Sequence, residues 1–129
     1  MVYSAADQPL VSKPVIWVGP SRRELKALPR EVQRTMGVAL WFAQQGKRHP
    51  AAGPLKGPKL SGVMEIREDH DRSTYRLMYI AKLGDEVYVL CAFQKRSTSG
   101  IATPKHVLER VTERLRQANA IHAKRSALL

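Results

Sequence analysis

The chain has 129 residues, 43% of them apolar, and sets 22 Lys and Arg against 11 Asp and Glu for a net charge of +11. That length supports one hydrophobic core and excludes a multidomain chain. The charge favours a polyanionic partner, through long-range steering and counterion release, over a membrane surface, for which no helix pairs a basic face with an exposed aromatic one.

Residues 1–13 are weakly patterned and read as a flexible N-terminal arm. They lack the basic and apolar regions of a secretory signal. No apolar run approaches the ~20 residues of a membrane span, so a cytoplasmic protein is expected. Val15-Ile16-Trp17-Val18 is a short strand closed by Gly19-Pro20. Ser21 with Glu24 three residues later matches a capping box and starts a short helix, with Leu25 and Leu28 facing inward. From residue 30 to 45 a helical stripe of Val32, Met36, Leu40 and Ala43 is widened by Val38, Trp41 and Phe42, and Gly46 stops it. The two helices form a hairpin that packs on a sheet.

Residues 46–59, GKRHPAAGPLKGPK, contain too much Gly and Pro for a helix or a central strand, and they carry Lys47, Arg48, Lys56 and Lys59. Three alternating, β-rich runs follow: Val63–Asp69, Thr74–Leu83 and Glu86–Gln94. His70-Asp71-Arg72-Ser73 is the first turn, and Gly84-Asp85 fits a two-residue hairpin turn with Gly first. Cys91, the single cysteine, lies among Val89, Leu90 and Phe93; it has no internal partner for a disulfide and reads as a small core residue. Thr103 then caps a last helix with Pro104 in its first position, and Val107, Leu108, Val111, Leu115 and Ala118 give its apolar stripe. The expected fold is α+β: a helical hairpin and a C-terminal helix on a mainly antiparallel four-stranded sheet, in the order β-α-α-β-β-β-α. One domain spans 14–123, and residues 124–129 are expected to fray.

Counting back from the turns places Arg76 opposite Phe93 and Thr74 opposite Lys95, and pairs Glu65 with Arg76 and Arg67 with Thr74. Glu65, Arg67, Arg76 and Phe93 then share one end of a sheet face whose remainder, Met78, Ile80, Val89 and Cys91, is core. Lys95 and Arg96 close that basic end. Each arginine alone also fits a solvated strand position, with Arg76 paired to Glu65 across the ladder. Several cations with an aromatic ring match single-stranded RNA, which needs charge for phosphates and a ring for a base. His49, His70, His106 and His122 are scattered, and no zinc spacing, phosphate loop or Ser-His-Asp arrangement occurs, so no metal or other cofactor is expected. RNA carries its own nucleophile in the 2′-hydroxyl; clustered cations would stabilise the transition state, and a lysine of lowered pKa, Lys56 or Lys59, would take the proton.

LKG at 55–57, EIR at 65–67, YRLMY at 75–79, VYVLCAFQKRS at 87–97 and GIATPK at 100–105 resemble the RelE/ParE superfamily of toxins, in its phage-derived HigB-like branch. The resemblance covers residues 14–120. It implies a RelE-like fold and the toxin of a type II toxin–antitoxin pair, acting as a ribosome-dependent mRNA endoribonuclease. Carried over by motif, the family's basic positions fall on Lys56 or Lys59, on Arg67 and Arg76, and on Lys95 and Arg96; the expected catalytic residues are Lys56, Lys59, Arg67, Arg76 and Lys95, and the residues themselves add Lys47, Arg48 and Phe93 to Arg96 as expected RNA contacts. Relatives place Tyr or His near the end of the last strand; here Phe93 and Gln94 stand there and neither moves a proton. The implied partners are a HigA-like helix-turn-helix antitoxin, the ribosome and mRNA. Two other classes are a ParE-like protein that poisons DNA gyrase without chemistry, and an inactive prophage nucleic-acid-binding protein.

Overall fold

The structure is a computed structural model that describes residues 12–57, 60–95 and 103–128. Lys59 and Arg96, both expected in the site, lie outside the described residues. The elements are β1 (Val15–Trp17), α1 (Ser21–Lys26), α2 (Arg30–Gln44), β2 (Ala52–Pro54), β3 (Val63–His70), β4 (Ser73–Ile80), β5 (Val87–Lys95) and α3 (Lys105–Ala127). They build the expected α+β fold, roughly that of RelE, but on five strands rather than four, in the order β1-β5-β4-β3-β2. The additional strand, β2, is a three-residue edge piece carved from the Gly/Pro-rich loop. Its Pro54 is tolerated because an edge strand needs donors on one side only.

The sheet separates two cores. On one face α1 and α2 bury Leu25, Val32, Met36, Leu40 and Ala43 against Ile66, Leu77, Tyr79, Val87 and Val89. On the other, α3 packs Val107, Val111 and Ala118 onto Val63, Met78, Ile80, Tyr88, Leu90 and Cys91. The expected α2 stripe is buried as read, but Val38 and Trp41 face solvent, at 45% and 56% exposure. They sit on the far side of the helix, beyond the width a sheet can cover.

Three further local expectations change. The Ser21 hydroxyl makes no capping bond, and α1 begins after Pro20. Pairing of β4 with β5 stops at Ile80 and Tyr88, so a longer loop replaces the two-residue turn, although Gly84 keeps the left-handed φ of 60°. The last helix runs to Ala127.

Register explains where the face residues go. Arg76 pairs with Phe93 and Thr74 with Lys95, as counted. The β3–β4 turn is centred on Asp71 and Arg72, whose φ angles are 48° and 66°, so Arg67 opposes Arg76 and Glu65 opposes Met78. That register is displaced by two residues from the expected one, and a displacement of two leaves every side chain on its face. A bulge acts differently. Met78 pairs with Cys91 but Tyr79 with Val89, so Leu90 is an extra residue and Val89 turns to the α2 core instead of staying beside Cys91.

β1 ends at Trp17, opposite Val89, which leaves the rest of the β5 edge without a strand. Glu24 of α1 and Arg114 of α3 take over there. Arg114 donates to the Leu90 carbonyl at 2.8 Å, and Glu24 accepts from the Ala92 amide at 3.3 Å. The two side chains join each other through bonds of 3.1 and 3.0 Å. A backbone edge that would otherwise lack partners is thereby satisfied, and the last turn of β5 is held in line as it carries Phe93 and Lys95 outward.

Candidate functional site

Period-two alternation puts Glu65 and Arg67 of β3, Arg76 of β4, and Phe93 and Lys95 of β5 on the α3 side of the sheet, at its open end. Arg67 and Arg76 are direct cross-strand partners, a like-charge juxtaposition that weakens a sheet unless an anion answers it. Glu65 answers in part, with its carboxylate 3.1 Å from Arg76 Nη1. This is the Arg76–Glu65 pair anticipated from the sequence, formed diagonally rather than directly across.

Arg76 is buried, at 2% exposure, whereas Arg67 is exposed. Arg76 also donates to Thr103 Oγ1 at 3.0 Å. Thr103 therefore does not cap α3, which starts after Pro104; its hydroxyl ties the entrance of α3 to β4 instead. The role went unread because a Thr-Pro pair signals a cap, and nothing local in the sequence shows an arginine 27 residues earlier reaching it.

Two cavities flank this row. One, of about 460 Å³, is lined by Lys56, Glu65, Arg67, Arg76, Thr103 and Leu108. Among the described residues, four cations, Lys56, Arg67, Arg76 and Lys95, thus gather around one carboxylate, Glu65. The second, of about 570 Å³, is lined by Phe93, Lys95, His106 and Arg110, among others. Lys95 belongs to both environments. It borders the second cavity and feels the charges of the first: burial pushes its ammonium pKa down, Arg76 and Arg67 push it further, and Glu65 opposes them.

Lys47 and Arg48 do not join this site. They line a separate cavity with Lys13, Tyr79 and Lys82 on the α2 side of the sheet. Burial raises the Tyr79 phenol there, and Arg48 partly offsets the effect. The separation comes from β2: with Ala52–Pro54 paired to β3, Lys47 and Arg48 fall on one side of the sheet and Lys56 on the other. His70 faces the α2 side of the sheet and lies 3.3 Å from Glu31. Cys91 is buried, with its thiol pushed up to about 12 chiefly by burial, as suits a core residue.

Sequence reasoning passed over His106. Its signal was weak, a lone histidine in a helix start, and only the packing of α3 across the sheet brings it beside Phe93 and Lys95.

The architecture and the pocket define a small basic α+β protein with a concave, cation-lined site at the end of an antiparallel meander. The phage-derived Gp49-like protein family (DUF891) matches residues 23–116, and the chain belongs to it. No curated protein matches the chain. Among the described residues no helix is long and apolar enough to cross a membrane.

Proposed function

We propose that this protein is the toxin of a type II toxin–antitoxin pair and a ribosome-dependent endoribonuclease that cuts mRNA by 2′-hydroxyl attack, without a metal ion. Its membership of a phage-derived family and the RelE/HigB-like motifs support that reading. The observation that carries it is the direct opposition of Arg67 and Arg76 over a cavity that also gathers Lys56, with Lys95 beside them. Such a cluster costs stability in the free protein and repays it on a phosphodiester, whose extra negative charge in the transition state it is built to hold. Arg67 and Arg76 grip the scissile phosphate. Lys95, whose pKa is lowered, takes the 2′-hydroxyl proton, and Lys56 holds the neighbouring phosphate. Phe93 offers a face for a base to stack on. A HigA-like helix-turn-helix antitoxin is the matching partner.

Arg67→Ala is the cleaner test, because Arg76 also holds Glu65 and Thr103 in place. Induction of the wild-type chain should stop growth and translation and yield new mRNA 5′ ends by primer extension. Arg67→Ala should lower cleavage by about 10²–10³-fold, the usual loss for one preorganised electrostatic contact. Full toxicity of Arg67→Ala, or arrest of DNA synthesis with intact mRNA, would reject the nuclease; the latter would point to gyrase.

A further inference from the structure

We propose that the cavity on the α2 side of the sheet is a second phosphate site, which holds the backbone of a helical RNA segment that the protein binds without cutting. Lys13, Lys47, Arg48 and Lys82 converge on this cavity of about 250 Å³. Among the described residues no Asp or Glu lines it, and none of these four cations forms an ion pair. The pocket on the other side of the sheet, by contrast, keeps Glu65 beside its arginines.

Fixed backbone brings the four together. Gly46, at φ 74°, ends α2: its amide donates to the Ala43 carbonyl at 3.0 Å, and the Lys47 amide donates to that of Phe42 at 2.8 Å. These are the paired bonds of a left-handed helix stop, and they aim Lys47 and Arg48 out of the turn. Lys13 is tied to the same helix end. Its amide donates to the Gln44 carbonyl at 3.0 Å, and Gln44 Nε2 donates to the Lys13 carbonyl at 2.7 Å. Lys82 arrives from beyond β4 with its stem over Gly62, where a Cβ would come within 3.8 Å of Lys82 Cδ. The charges do not serve to finish α2. The carbonyls of Trp41, Phe42, Ala43 and Gln44 all accept backbone N–H groups, so the helix end is satisfied without an ammonium. Four like charges with no carboxylate among them repel one another, and an anion of several charges relieves that repulsion.

The lining says which anion. Ala43, Gly46, Gly62 and Ala81 are small, so a phosphate backbone can come close. Among the described residues no exposed ring lines the cavity; its Tyr79 is 2% exposed. Single-stranded RNA is gripped by stacking as well as by charge, whereas helical RNA stacks its bases internally and presents its backbone. Phe93 supplies a ring at the nuclease end, and nothing in the lining does so here. At the Lys82 end of β4 and behind the sheet, the cavity is out of reach of a phosphate held by Arg67 and Arg76. Two different RNA segments therefore occupy the two sides. The inference does not depend on the nuclease reading, because binding needs no cleavage.

The experiment is fluorescence anisotropy of a labelled, blunt-ended RNA duplex titrated with the full chain over a series of KCl concentrations. It compares wild type, Lys47→Gln/Arg48→Gln, Lys47→Arg/Arg48→Lys and Arg67→Ala. Both loop positions are exposed, and an unchanged urea midpoint confirms folding. The glutamine pair should flatten the slope of log K against log salt by about 2, and weaken binding by about 10²-fold near ~0.1 M salt, as two lost phosphate contacts require. The charge-keeping pair should restore both, and Arg67→Ala should change the slope less than the glutamine pair does. Inorganic tripolyphosphate and an acidic peptide are run beside the duplex. If either binds through Lys47 and Arg48 where the duplex does not, the site serves another anion and the proposal is overturned. Duplex binding by the glutamine pair equal to wild type, or none by wild type, overturns it as well. A wild type that binds the duplex through Lys47 and Arg48 but leaves mRNA uncut would reject the nuclease and leave this site standing.

Discussion

Two arginines in this protein meet a glutamate under the sheet's edge, and they do so for different ends. Arg114 is matched: Glu24 accepts from both its terminal nitrogens, the Leu90 carbonyl takes a further bond, and the contact with Glu24 raises the guanidinium pKa. Arg76 is more deeply enclosed but sits among neighbouring cations, with Arg67 directly across the ladder and Lys95 close enough to be perturbed by both. A matched pair that also satisfies backbone groups is a structural bolt. A pair crowded by neighbouring cations is a site suited to an anion. Net local charge separates the two, where burial and pairing alone do not.

The sharpest way to break this comparison is to remove one member on each side. Arg67→Ala should abolish most cleavage, as above, and shift stability by less than about 0.5 kcal/mol, since its side chain is exposed. Glu24→Ala should do the reverse. It strands Arg114 and the Ala92 amide, and should cost about 3 kcal/mol in urea unfolding, the low end for breaking an enclosed pair. If Arg67→Ala unfolds the protein, or Glu24→Ala leaves the urea midpoint unchanged, the distinction fails.

Lys95→Met probes the frustrated side more finely. The folded pKa of Lys95 lies below its unfolded value, so at any pH below both its charge works against the folded state. Removing it should stabilise the free protein by up to about 1 kcal/mol, the scale of like-charge repulsion across a ladder, while cleavage falls. A loss of stability instead would mean that Lys95 serves the fold.

The smallest effect concerns a third carboxylate. Glu86 accepts from the buried Tyr88 hydroxyl at 2.9 Å and lies 3.6 Å from His122 and 3.7 Å from Arg125, tying the end of α3 to the loop before β5. Burial, followed by that hydrogen bond, pushes the Tyr88 phenol up to about 12. Its folded pKa is above the unfolded one, so its contribution is intact below the ordinary tyrosine value of 10.0 and is lost as pH rises through about 12. Phenolate absorbance should therefore lose its latest-titrating component in Tyr88→Phe, and that variant should lose stability less steeply than wild type over that alkaline window.

The sequence alone determined most of the elements and the faces of the site residues on β3, β4 and β5. A 3.6-residue period identified the buried stripe of α2, and a two-residue period placed Glu65, Arg67, Arg76 and Phe93 together even though the β3 register was displaced, because an even displacement preserves the face. It also supplied the family motifs. The tertiary structure decided what depends on contacts distant in the chain: that β2 forms and sends Lys47 and Arg48 to the other side, that a bulge at Leu90 turns Val89 over, that Glu24 and Arg114 finish the β5 edge, and that α3 brings Thr103 to Arg76 and His106 to Lys95. Periodicity records how one element meets its surroundings. It is silent about which element those surroundings are, and a site assembled from β3, β4, β5 and the start of α3 is made of such meetings.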